Sequence, residues 1–533
     1  MNLSNIDLTK STKKPDDNDI NTGLLDIIYQ QKNTILNKDN IIADKESVIA
    51  EQQKRIAMLE EYLRLERSRL YGRSTEKTAQ QSDLFNEVEA AFDEQEQQEK
   101  EEPSSKPKQS AKGRKPLSDK LPRIQVYLNL TDAEKKGAID TFYSKVKEEL
   151  DIIPAKVRVI EYLQEKAVFG TGEQREIKVA GLPKHPVPKA VGSISMLAYI
   201  ITSKYCDALP LYRLESILKR YGGSVTRATM AAWVMRSAEL CIPLINLLRE
   251  RQNEGRLIQA DETIIQVIKE LSKSINSDKY MWVSKGGPPD QRSVLFEYDP
   301  SRSKTVPLRL FEGFKGYLQT DGYASYREVC EREKCTSVGC WDHARRYFVN
   351  AKKGEVKGTK KKSATPSKAD VALAQIRKLY KIESDIEALN SQEKYYHRQQ
   401  RSLPLLKQFK KWLERNITRV EAQSLVHKAI NYALNQWDSL IVYCEDGELP
   451  ISNAGAENVI RPFCVGRKNW LFADTPRGAR ASAVFYSLIE TAKLHSLEPY
   501  DYLCRLLTDL PYAETVEQLE ALLPWNIKVS QAV

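Results

Sequence analysis

Three acidic residues in this chain stand where side chains from distant segments could meet. Asp261 lies in RLIQADETIIQV, where apolar residues lead up to it and β-branched residues follow it. Asp321 closes the short extended run of GYLQTDGYASY, and Gly322 marks a turn after it. Glu457 lies early on a predicted helix. Two aspartates at strand ends and one glutamate on a helix are what a two-metal site for phosphoryl transfer requires.

The helix that carries Glu457 is predicted from the segment ISNAGAENVIRPFCVGRKNWLF. Ser452 and Asn453 are both suitable N-caps, and Arg461 follows Glu457 by one turn on the same face. Pro462 is expected to end this helix. Taken alone, the segment fits an exposed ion pair on an ordinary surface helix better than a catalytic site. The two aspartates elsewhere in the chain shift the interpretation towards a site.

The chain resembles the DDE transposases of bacterial insertion sequences, specifically the insertion-sequence-sixty-six family. The motifs that carry the resemblance cover most of the chain: LYGRSTEK, SKYCDALPLYRLESILKRYGG, QADET, YLQTDGYASY, GCWDHARRYF, AENVIRPFCVGRKNWLF and HSLEPYDYLCRLLTDLP. The resemblance implies an RNase H-like core in which Asp261, Asp321 and Glu457 form the acidic triad. These three residues are expected to hold two Mg²⁺ ions, for which Mn²⁺ can substitute.

Other side chains near the acidic positions are expected to contact DNA or to assist the chemistry. The expected DNA contacts are Arg345, Arg346, Arg461, Arg467, Lys468 and Trp470. His343 is a secondary catalytic candidate, because an imidazole there could steer the scissile phosphate or tune a bound water. A structural role in capping the following helix explains His343 about as well.

The composition agrees with a DNA-binding protein. The 533 residues include 82 Lys and Arg against 72 Asp and Glu, which gives a net charge of +10. This excess is modest, so DNA binding should depend on where the charge lies. No segment has the length and apolarity of a membrane span, and the N-terminus lacks a signal-peptide pattern. We therefore expect a bacterial, cytoplasmic protein that associates with the nucleoid.

The eight cysteines include no CxxC pair, so neither a disulfide framework nor a zinc finger is predicted. The nearest approach to a cluster comprises Cys330, Cys335, Cys340 and His343. Their spacing fits no standard zinc site. The small domain that binds zinc in the resembling family has no cysteine here, in Lys135–Gly137 or in Phe169–Glu173. We therefore expect no zinc.

The N-terminal region predicts disorder over residues 1–22 and a long helix over residues 23–72. Apolar residues recur at every seventh position of this helix: Ile28, Ile35, Ile42, Ile49, Ile56, Leu63 and Leu70. This period indicates a coiled coil and hence a homo-oligomer, although many second core positions are polar. The alternative is a long helix packed on the body of the protein.

Three further segments precede the core. Residues 73–123 predict a linker that is acidic at first and then basic. Residues 124–185 predict a small α/β domain, with strands in IQVYLNL and VRVIEYLQEKAVF and a helix between them. Residues 190–253 predict a helical domain with a cap at Ser224 or Thr226, compatible with a helix-turn-helix. Plain helical scaffolding is an equal alternative for that domain.

The expected fold class is multidomain α/β, with an RNase H-like core interrupted by an all-α insertion. The first part of the core, 254–350, has strand candidates in RLIQADE, IIQVIKE, KYMWVSK, SVLFEYD, GYLQTD and TSVGCW. Helices predicted over 351–450 form the insertion, and the core resumes over 451–495. A tail, 496–533, is expected to dock through Leu519, Leu522, Leu523 and Trp525.

Together these features predict a transposase that binds the terminal repeats of its own mobile element. It would cut one strand at each end and join the 3′-hydroxyl to target DNA. Two alternatives use the same sequence features: a structure-specific nuclease that only hydrolyses DNA, and a catalytically inactive DNA-binding relic. Small accessory proteins encoded by the element are further candidate partners.

Overall fold

The computed structural model describes residues 17–71, 123–127, 131, 136, 140, 143–145, 147, 155–169, 176–272, 274, 277–355 and 366–527. The chain divides into two compact units. The first comprises Met1–Thr75, Ala344–Lys381 and Leu405–Asn435, and the second comprises Glu76–His343, Ile382–Pro404 and Gln436–Val533. The predicted charged linker lies outside the described residues except at Arg123.

The elements are numbered in chain order. The helices are α1 (Asp17–Tyr71), α2 (Ile194–Tyr205), α3 (Leu211–Arg220), α4 (Arg227–Leu240), α5 (Ile242–Asn253), α6 (Thr305–Leu310), α7 (Ala324–Glu333), α8 (Trp341–Gly354), α9 (Lys368–Asp385), α10 (Ser391–His397), α11 (Leu403–Ile417), α12 (Leu425–Asn435), α13 (Trp437–Ile441), α14 (Ala454–Trp470), α15 (Pro476–Leu494), α16 (Pro499–Asp509) and α17 (Val516–Glu520). The strands are β1 (Lys166–Phe169), β2 (Glu176–Val179), β3 (Leu257–Ile265), β4 (Lys279–Gly286), β5 (Ser293–Asp299), β6 (Tyr317–Gln319) and β7 (Thr336–Val338). A π-helical turn spans Arg398–Ser402, and 3₁₀ turns span Val442–Cys444 and Leu510–Tyr512.

A five-stranded mixed sheet in the order β5-β4-β3-β6-β7 organises the second unit. β3, β4 and β5 form an antiparallel meander, and β6 and β7 run parallel to β3. The sequence predicted separate strands in RLIQADE and IIQVIKE, which was wrong. One strand, β3, runs from Leu257 to Ile265 and pairs with β4 without a break from Gln259. Of the second segment, only Ile264 and Ile265 belong to it, and Val267 forms an isolated bridge with Ala473. The other predicted strands of the core are confirmed.

Helices cover both faces of this sheet, and β4 and β5 are accordingly buried along most of their length. On one face, β-strand residues such as Ile265, Met281 and Phe296 share a core with α2–α5 and α14–α16. On the other face, Ile258 and Trp282 pack with residues of α6 and α7. The predicted helical domain of residues 190–253 is therefore not separate, because its apolar side chains belong to the core of the sheet. Thr226 is its observed cap, with Oγ1 accepting from the backbone N–H of Thr229 at 3.2 Å.

The outer strand β5 is protected by hydroxyl groups of α15. The backbone N–H of Val294 donates to Thr491 Oγ1 at 3.0 Å, and that of Phe296 donates to Ser487 Oγ at 2.7 Å. These bonds satisfy backbone groups that an edge strand would otherwise expose. The predicted docking of the C-terminal tail is confirmed, because Leu522 and Leu523 are buried in the same core and Leu519 and Trp525 pack against it.

The predicted insertion, 351–450, does not form one domain. Its residues 382–404 and 436–450 belong to the second unit, and most of the others belong to the first. The reason is Arg398 in the π-helical turn, whose buried guanidinium pairs with Glu383 and donates to the carbonyls of Tyr443 and Asp446 at 2.8 and 2.7 Å. These bonds join residues 382–404 to residues 436–450 within the second unit. The helix predicted from SLVHKAINYALNQWDSLIVYCED is broken at Gln436 into α12 and α13.

Pro462 does not end α14 as predicted. The helix passes through it and continues to Trp470. A proline inside a helix removes one backbone hydrogen bond and strains the preceding turn. The buried residues Val459, Ile460 and Phe463 on either side pack into the core of the sheet and stabilise the helix against that cost.

In the first unit, the C-terminal end of α1 packs on a small core formed by Leu65, Ala351, Ala369 and Leu425. Further towards its N-terminus the heptad residues are more than half exposed: Ile35, Ile42, Ile49, Ile56 and Leu63. The side chains of Ile28 and Leu70 lie outside the described residues. α1 begins at Asp17, earlier than predicted. One end of the helix therefore fits the packed alternative, while most of the predicted coiled-coil stripe faces solvent.

The predicted small α/β domain is only partly described, and what is described differs from the prediction. Residues 124–127 are not a strand, and of VRVIEYLQEKAVF only the last four residues pair, as β1 with β2 in an antiparallel hairpin. Most of the helix predicted between the two strands lies outside the described residues. Among the helices that the structure describes, none alone is long and apolar enough to cross a membrane; α4 and α5 pass that test only as a bent pair.

Candidate active site

Asp261 and Asp321 lie at equivalent positions on neighbouring parallel strands. β3 and β6 pair Gln259 with Gln319, and each aspartate follows its glutamine by two residues. Adjacent strands lie about 4.8 Å apart, so the aspartates emerge side by side where β6 ends. Asp321 Oδ1 accepts a hydrogen bond from the backbone N–H of Tyr323 at 2.9 Å. The turn that follows β6 therefore fixes this carboxylate.

Glu457 reaches the same edge of the sheet from the first turn of α14. This helix packs on the face of β3 that carries Asp261, where Arg467 Nη1 donates to Thr263 Oγ1 at 2.9 Å. Asn453 is at the N-cap position, although its side chain makes no cap bond. The backbone N–H groups of a first helical turn carry partial positive charge, which favours a carboxylate such as Glu457 there.

The electrostatics of Asp261 show that the three acids are close to one another. Burial, mainly, together with the charges of Glu262, Asp321 and Glu457, raises the pKa of Asp261 to about 7. Mutual repulsion of this kind is expected where carboxylates share a site. Asp321 and Glu457 therefore lie near enough to Asp261 for their charges to act on its pKa.

His343 lies beside Glu457, with its Nδ1 atom 3.8 Å from Glu457 Oε1. Within the described part of the chain, the three-residue group of potential metal ligands whose atoms all lie within 4.8 Å of one another is Cys340, His343 and Glu457. The oxygens of Asp261, Asp321 and Glu457 are spaced more widely than that. His343 therefore belongs to the site, adjacent to the acid contributed by α14.

Two buried glutamines, which the sequence analysis did not identify, fasten α14 to the strands of the aspartates. Gln259 Nε2 donates to Gln319 Oε1 at 2.7 Å and to the carbonyl of Ser452 at 3.2 Å. Gln319 Nε2 donates to the carbonyl of Pro450 at 2.8 Å. We call Gln259, Gln319 and Asn453 the amide latch. It joins the β3–β6 pair to the segment that enters α14.

Asn453, the third member of the amide latch, is fully buried and bonds to the sheet itself. Its Nδ2 donates to the carbonyl of Ala260 at 2.9 Å, and its backbone N–H lies 3.2 Å from Cys340 Sγ. The approach is so close that a Cβ atom added at Gly455 would lie 1.8 Å from Gln259 Oε1. Glu457 is therefore positioned by backbone segments that are bonded directly to β3 and β6.

A fourth carboxylate, Glu262, lies next to Asp261 but is engaged on the opposite face of β3. It accepts from Arg302 Nε at 2.8 Å and from the hydroxyl of Tyr326 at 2.7 Å. The Arg302 guanidinium also lies over the Tyr323 ring, 4.1 Å from its centroid. No sequence pattern indicates this network, because its members come from three separate segments.

The residues predicted to contact DNA divide into two groups. Arg467 and Trp470 are used inside the protein: Arg467 bonds to β3, and the Trp470 ring packs 5.7 Å from that of Phe463. Lys468 and Arg346 are exposed, and Arg345 and Arg461 are partly exposed. Arg345 and Arg346 follow His343 on α8 and belong to the first unit.

Comparisons with known proteins show the family of the chain. The family model described as Transposase IS66 family matches residues 189–481, more than half of the chain, and includes all three acids. The chain belongs to this transposase family. Its IS66 C-terminal element matches residues 487–525, and a model described as Transposase C of IS166 homeodomain matches residues 58–126.

The transposase is also similar to curated bacterial proteins. An uncharacterized protein of Sinorhizobium fredii, y4qI, is 29% identical over 497 residues, which is 89% of each chain. Another from the same organism, y4jD, is 29% identical over 432 residues, 78% of this chain and 82% of its own. The likeness to y4qI extends over 89% of the transposase. The family models, not these relatives, support a role in transposition with DNA as partner.

We predict that Gln319→Leu weakens the binding of divalent cations to the transposase by about 10–100-fold, as loss of an outer partner of a metal site does. It also leaves carbonyls of the latch unpaired, at a cost of roughly 1–3 kcal/mol each. Calorimetric titration with Mn²⁺ and thermal unfolding measure the two effects.

The matched control is Gln252→Leu. Gln252 is a buried glutamine of α5 whose Nε2 donates to the carbonyl of Ser293 at 3.2 Å, away from the acids. It should lose similar stability but keep the affinity for Mn²⁺. Wild-type Mn²⁺ affinity in Gln319→Leu would show that the amide latch does not position the site.

We predict that Asp261→Asn stabilises the metal-free transposase at pH 8. The folded-state pKa of Asp261, about 7, exceeds the ordinary value of 3.8. The folded state therefore binds more protons than the unfolded state between these values, and its stability falls as the pH rises through 7. Asparagine removes this loss, so the gain in melting temperature should shrink towards pH 4.

As a control of opposite sign, Glu239→Gln should be mildly destabilising at pH 8, because a hydrogen bond from Arg477 lowers the pKa of Glu239. Equal melting curves for Asp261→Asn and wild type at pH 8 would contradict the raised pKa of Asp261.

Proposed function

We propose that this transposase uses Asp261, Asp321 and Glu457 to cut one DNA strand at each end of its mobile element. It then joins the exposed 3′-hydroxyl to target DNA. The observation that carries the proposal is the convergence of three carboxylates, from two strands and a helix, at one edge of the sheet. The alternative nuclease would use the same acids but would not join ends.

The sheet and its helices support an RNase H-like core for this chemistry. An antiparallel meander continues into two parallel strands, with helices on both faces. Ligands of open α/β sheets bind beyond the carboxyl ends of the parallel strands. Asp321 lies at such an end and Asp261 beside it, so the acids occupy the edge where substrate is expected.

The three acids fit Mg²⁺, with Mn²⁺ as a substitute. Carboxylate oxygens are the ligands that these hard ions prefer. Burial, and after it the charges of neighbouring carboxylates, raises the pKa of Asp261, and bound cations would oppose that shift. Two such ions would activate the attacking oxygen and stabilise the leaving oxygen of an in-line displacement.

The chain's own residues orient the DNA for two successive displacements. In the first, the oxygen of water attacks the scissile phosphorus, the bond to the 3′-oxygen breaks, and a 3′-hydroxyl is released. In the second, that hydroxyl attacks a phosphorus of target DNA and releases a new 3′-hydroxyl. Asp261 and Asp321 face the reacting phosphate from the sheet, and Glu457 closes the site from α14. His343, beside Glu457, is placed to hold that carboxylate or to donate to a phosphate oxygen.

DNA is expected to contact cations of two helices, α14 and α8. Lys468 and Arg461 lie on α14 itself, and Arg345 and Arg346 follow His343 on α8. Phosphate contacts by such side chains position DNA without reading its sequence. Arg467 and Trp470 are better explained as anchors of the C-terminal end of α14. We further propose action on the nucleoid in the bacterial cytoplasm, with accessory proteins of the element as candidate partners.

We predict that Asp261→Asn lowers strand cleavage and strand transfer by at least roughly 10²–10³-fold, because one preorganised group that stabilises the transition state is lost. Binding to the element's ends should remain within about twofold, since phosphate contacts come from other residues. Purified protein, labelled end DNA and Mg²⁺ suffice for the assay.

The control is Asp290→Asn, which replaces an exposed carboxylate in the β4–β5 turn and should react normally. Joining of ends by Asp261→Asn would refute the proposal, and cleavage without joining by the wild type would favour a nuclease.

We also propose that the exposed stripe of α1 pairs with a second copy, since paired ends require more than one subunit. Replacing Ile42 and Ile49, each 52% exposed, with glutamate should convert the oligomer to monomer, because charges cannot pack in a coiled-coil seam. Light scattering measures the mass. The control places the same two charges opposite the stripe, at Asn40 and Ser47, and should leave the mass unchanged. A monomeric wild type would contradict the pairing.

A further inference from the structure

Cys340, His343 and Glu457 form a compact group of three different metal-binding side chains. One ligand atom from each lies within 4.8 Å of the other two, and His343 Nδ1 is 3.8 Å from Glu457 Oε1. Around a tetrahedral zinc ion, with bonds of about 2.0–2.3 Å, ligand atoms are roughly 3.3–3.7 Å apart. Side-chain shifts of about 1 Å would therefore close the group around one ion.

The three side chains come from segments that the fold holds firmly together. Cys340 follows β7, His343 lies in the first turn of α8, and Glu457 lies in the first turn of α14. Asn453 of the amide latch bonds to two of these regions. Its backbone N–H donates to Cys340 Sγ, and its side chain donates to β3. The side chains of His343 and Glu457 are 15% and 17% exposed, which leaves an ion a path from solvent.

The chemistry of the donors separates this group from the acidic triad. A thiolate, an imidazole and a carboxylate suit zinc and other thiophilic divalent ions, whereas Mg²⁺ takes oxygen ligands only. Three protein ligands also leave a fourth position open, as in zinc sites that bind a water or a substrate atom. Spacing along the sequence hid the group, because Glu457 is supplied by a distant segment.

We propose that Cys340, His343 and Glu457 bind a thiophilic divalent ion, with zinc as the expected occupant, and that this ion competes with Mg²⁺ for Glu457. The second half rests on the proposed function; the first half does not. Binding replaces the thiol proton of Cys340, which is released to solvent. Zinc would then inhibit the transposase by withdrawing one of its three acids.

Cobalt tests the binding directly, because Co²⁺ takes the ligands of zinc and gives a thiolate charge-transfer band in the near ultraviolet. Full-length protein is titrated with Co²⁺ without DNA or Mg²⁺. We expect one equivalent per chain to produce the band, and Zn²⁺ to remove it. The band should disappear in Cys340→Ser and persist in Cys444→Ser, which replaces another buried thiol of the second unit.

A second variant guards against misfolding of Cys340→Ser, since Cys340 is almost fully buried. His343→Ala changes a partly exposed side chain and should keep the band, because the thiolate remains. It should weaken Co²⁺ binding by at least about tenfold, since loss of an outer-shell partner alone already costs that much. Absence of the band in folded wild type, or a band and affinity that neither variant changes, would overturn the site.

The competition is measured separately, as inhibition of the Mg²⁺-dependent reaction by micromolar Zn²⁺, with each variant normalised to its own zinc-free rate. Wild type and Cys444→Ser should be inhibited, and Cys340→Ser should need at least tenfold more zinc. Equal inhibition of all three proteins would overturn the competition. An inactive wild type that still gives the cobalt band would refute the proposed function and leave the metal site standing.

Discussion

A hydrogen bond between two buried amides, Gln259 and Gln319, underlies the geometry of the site. It lies at 2.7 Å between the two strands that carry the aspartates, and the remaining amide hydrogens of the pair reach the carbonyls of Pro450 and Ser452. Buried polar groups must be paired, so each partner constrains the others. The chain re-enters the core at this point, and these hydrogen bonds fix its position there. Glu457 follows within two turns.

This constraint works against electrostatic repulsion. Asp261 is partly buried beside Glu262, and burial first, then the charges of Glu262, Asp321 and Glu457, raises its pKa. Glu262 is compensated by Arg302 and Tyr326, and Glu457 by the N-terminus of α14. Asp261 accepts one backbone hydrogen bond, from the N–H of Glu262 at 2.8 Å, which lowers its pKa by less than burial raises it. The fold therefore holds the carboxylate of Asp261 where its charge is disfavoured and where a bound cation would stabilise it. Functional sites often trade stability for activity in this way.

Much of this architecture could be predicted from the sequence, because it rests on local patterns. β4 and β5 were evident from their β-branched and aromatic runs, and the turn after Asp321 from Gly322, which adopts a φ of 87°. The errors came from tertiary packing. Pro462 is a helix breaker in isolation, but the buried face of α14 overrides it. Arg467 and Lys468 are adjacent cations in sequence, yet only the structure shows that Arg467 bonds to Thr263 while Lys468 is exposed. Gln259 and Gln319 carry no signal at all, since an amide becomes informative only when its partners are known.

The most direct test of the account is to replace Mg²⁺ with Fe²⁺ and map where ascorbate-driven hydroxyl radicals cut the polypeptide. Radicals cleave backbone close to the bound iron, so the account predicts cuts near Asp261, Asp321 and Glu457 in the same chain, suppressed by excess Mg²⁺. Cuts near Cys340 and Glu457 with none near Asp261 and Asp321 would show iron in the thiol group alone and would contradict a shared site for the three acids.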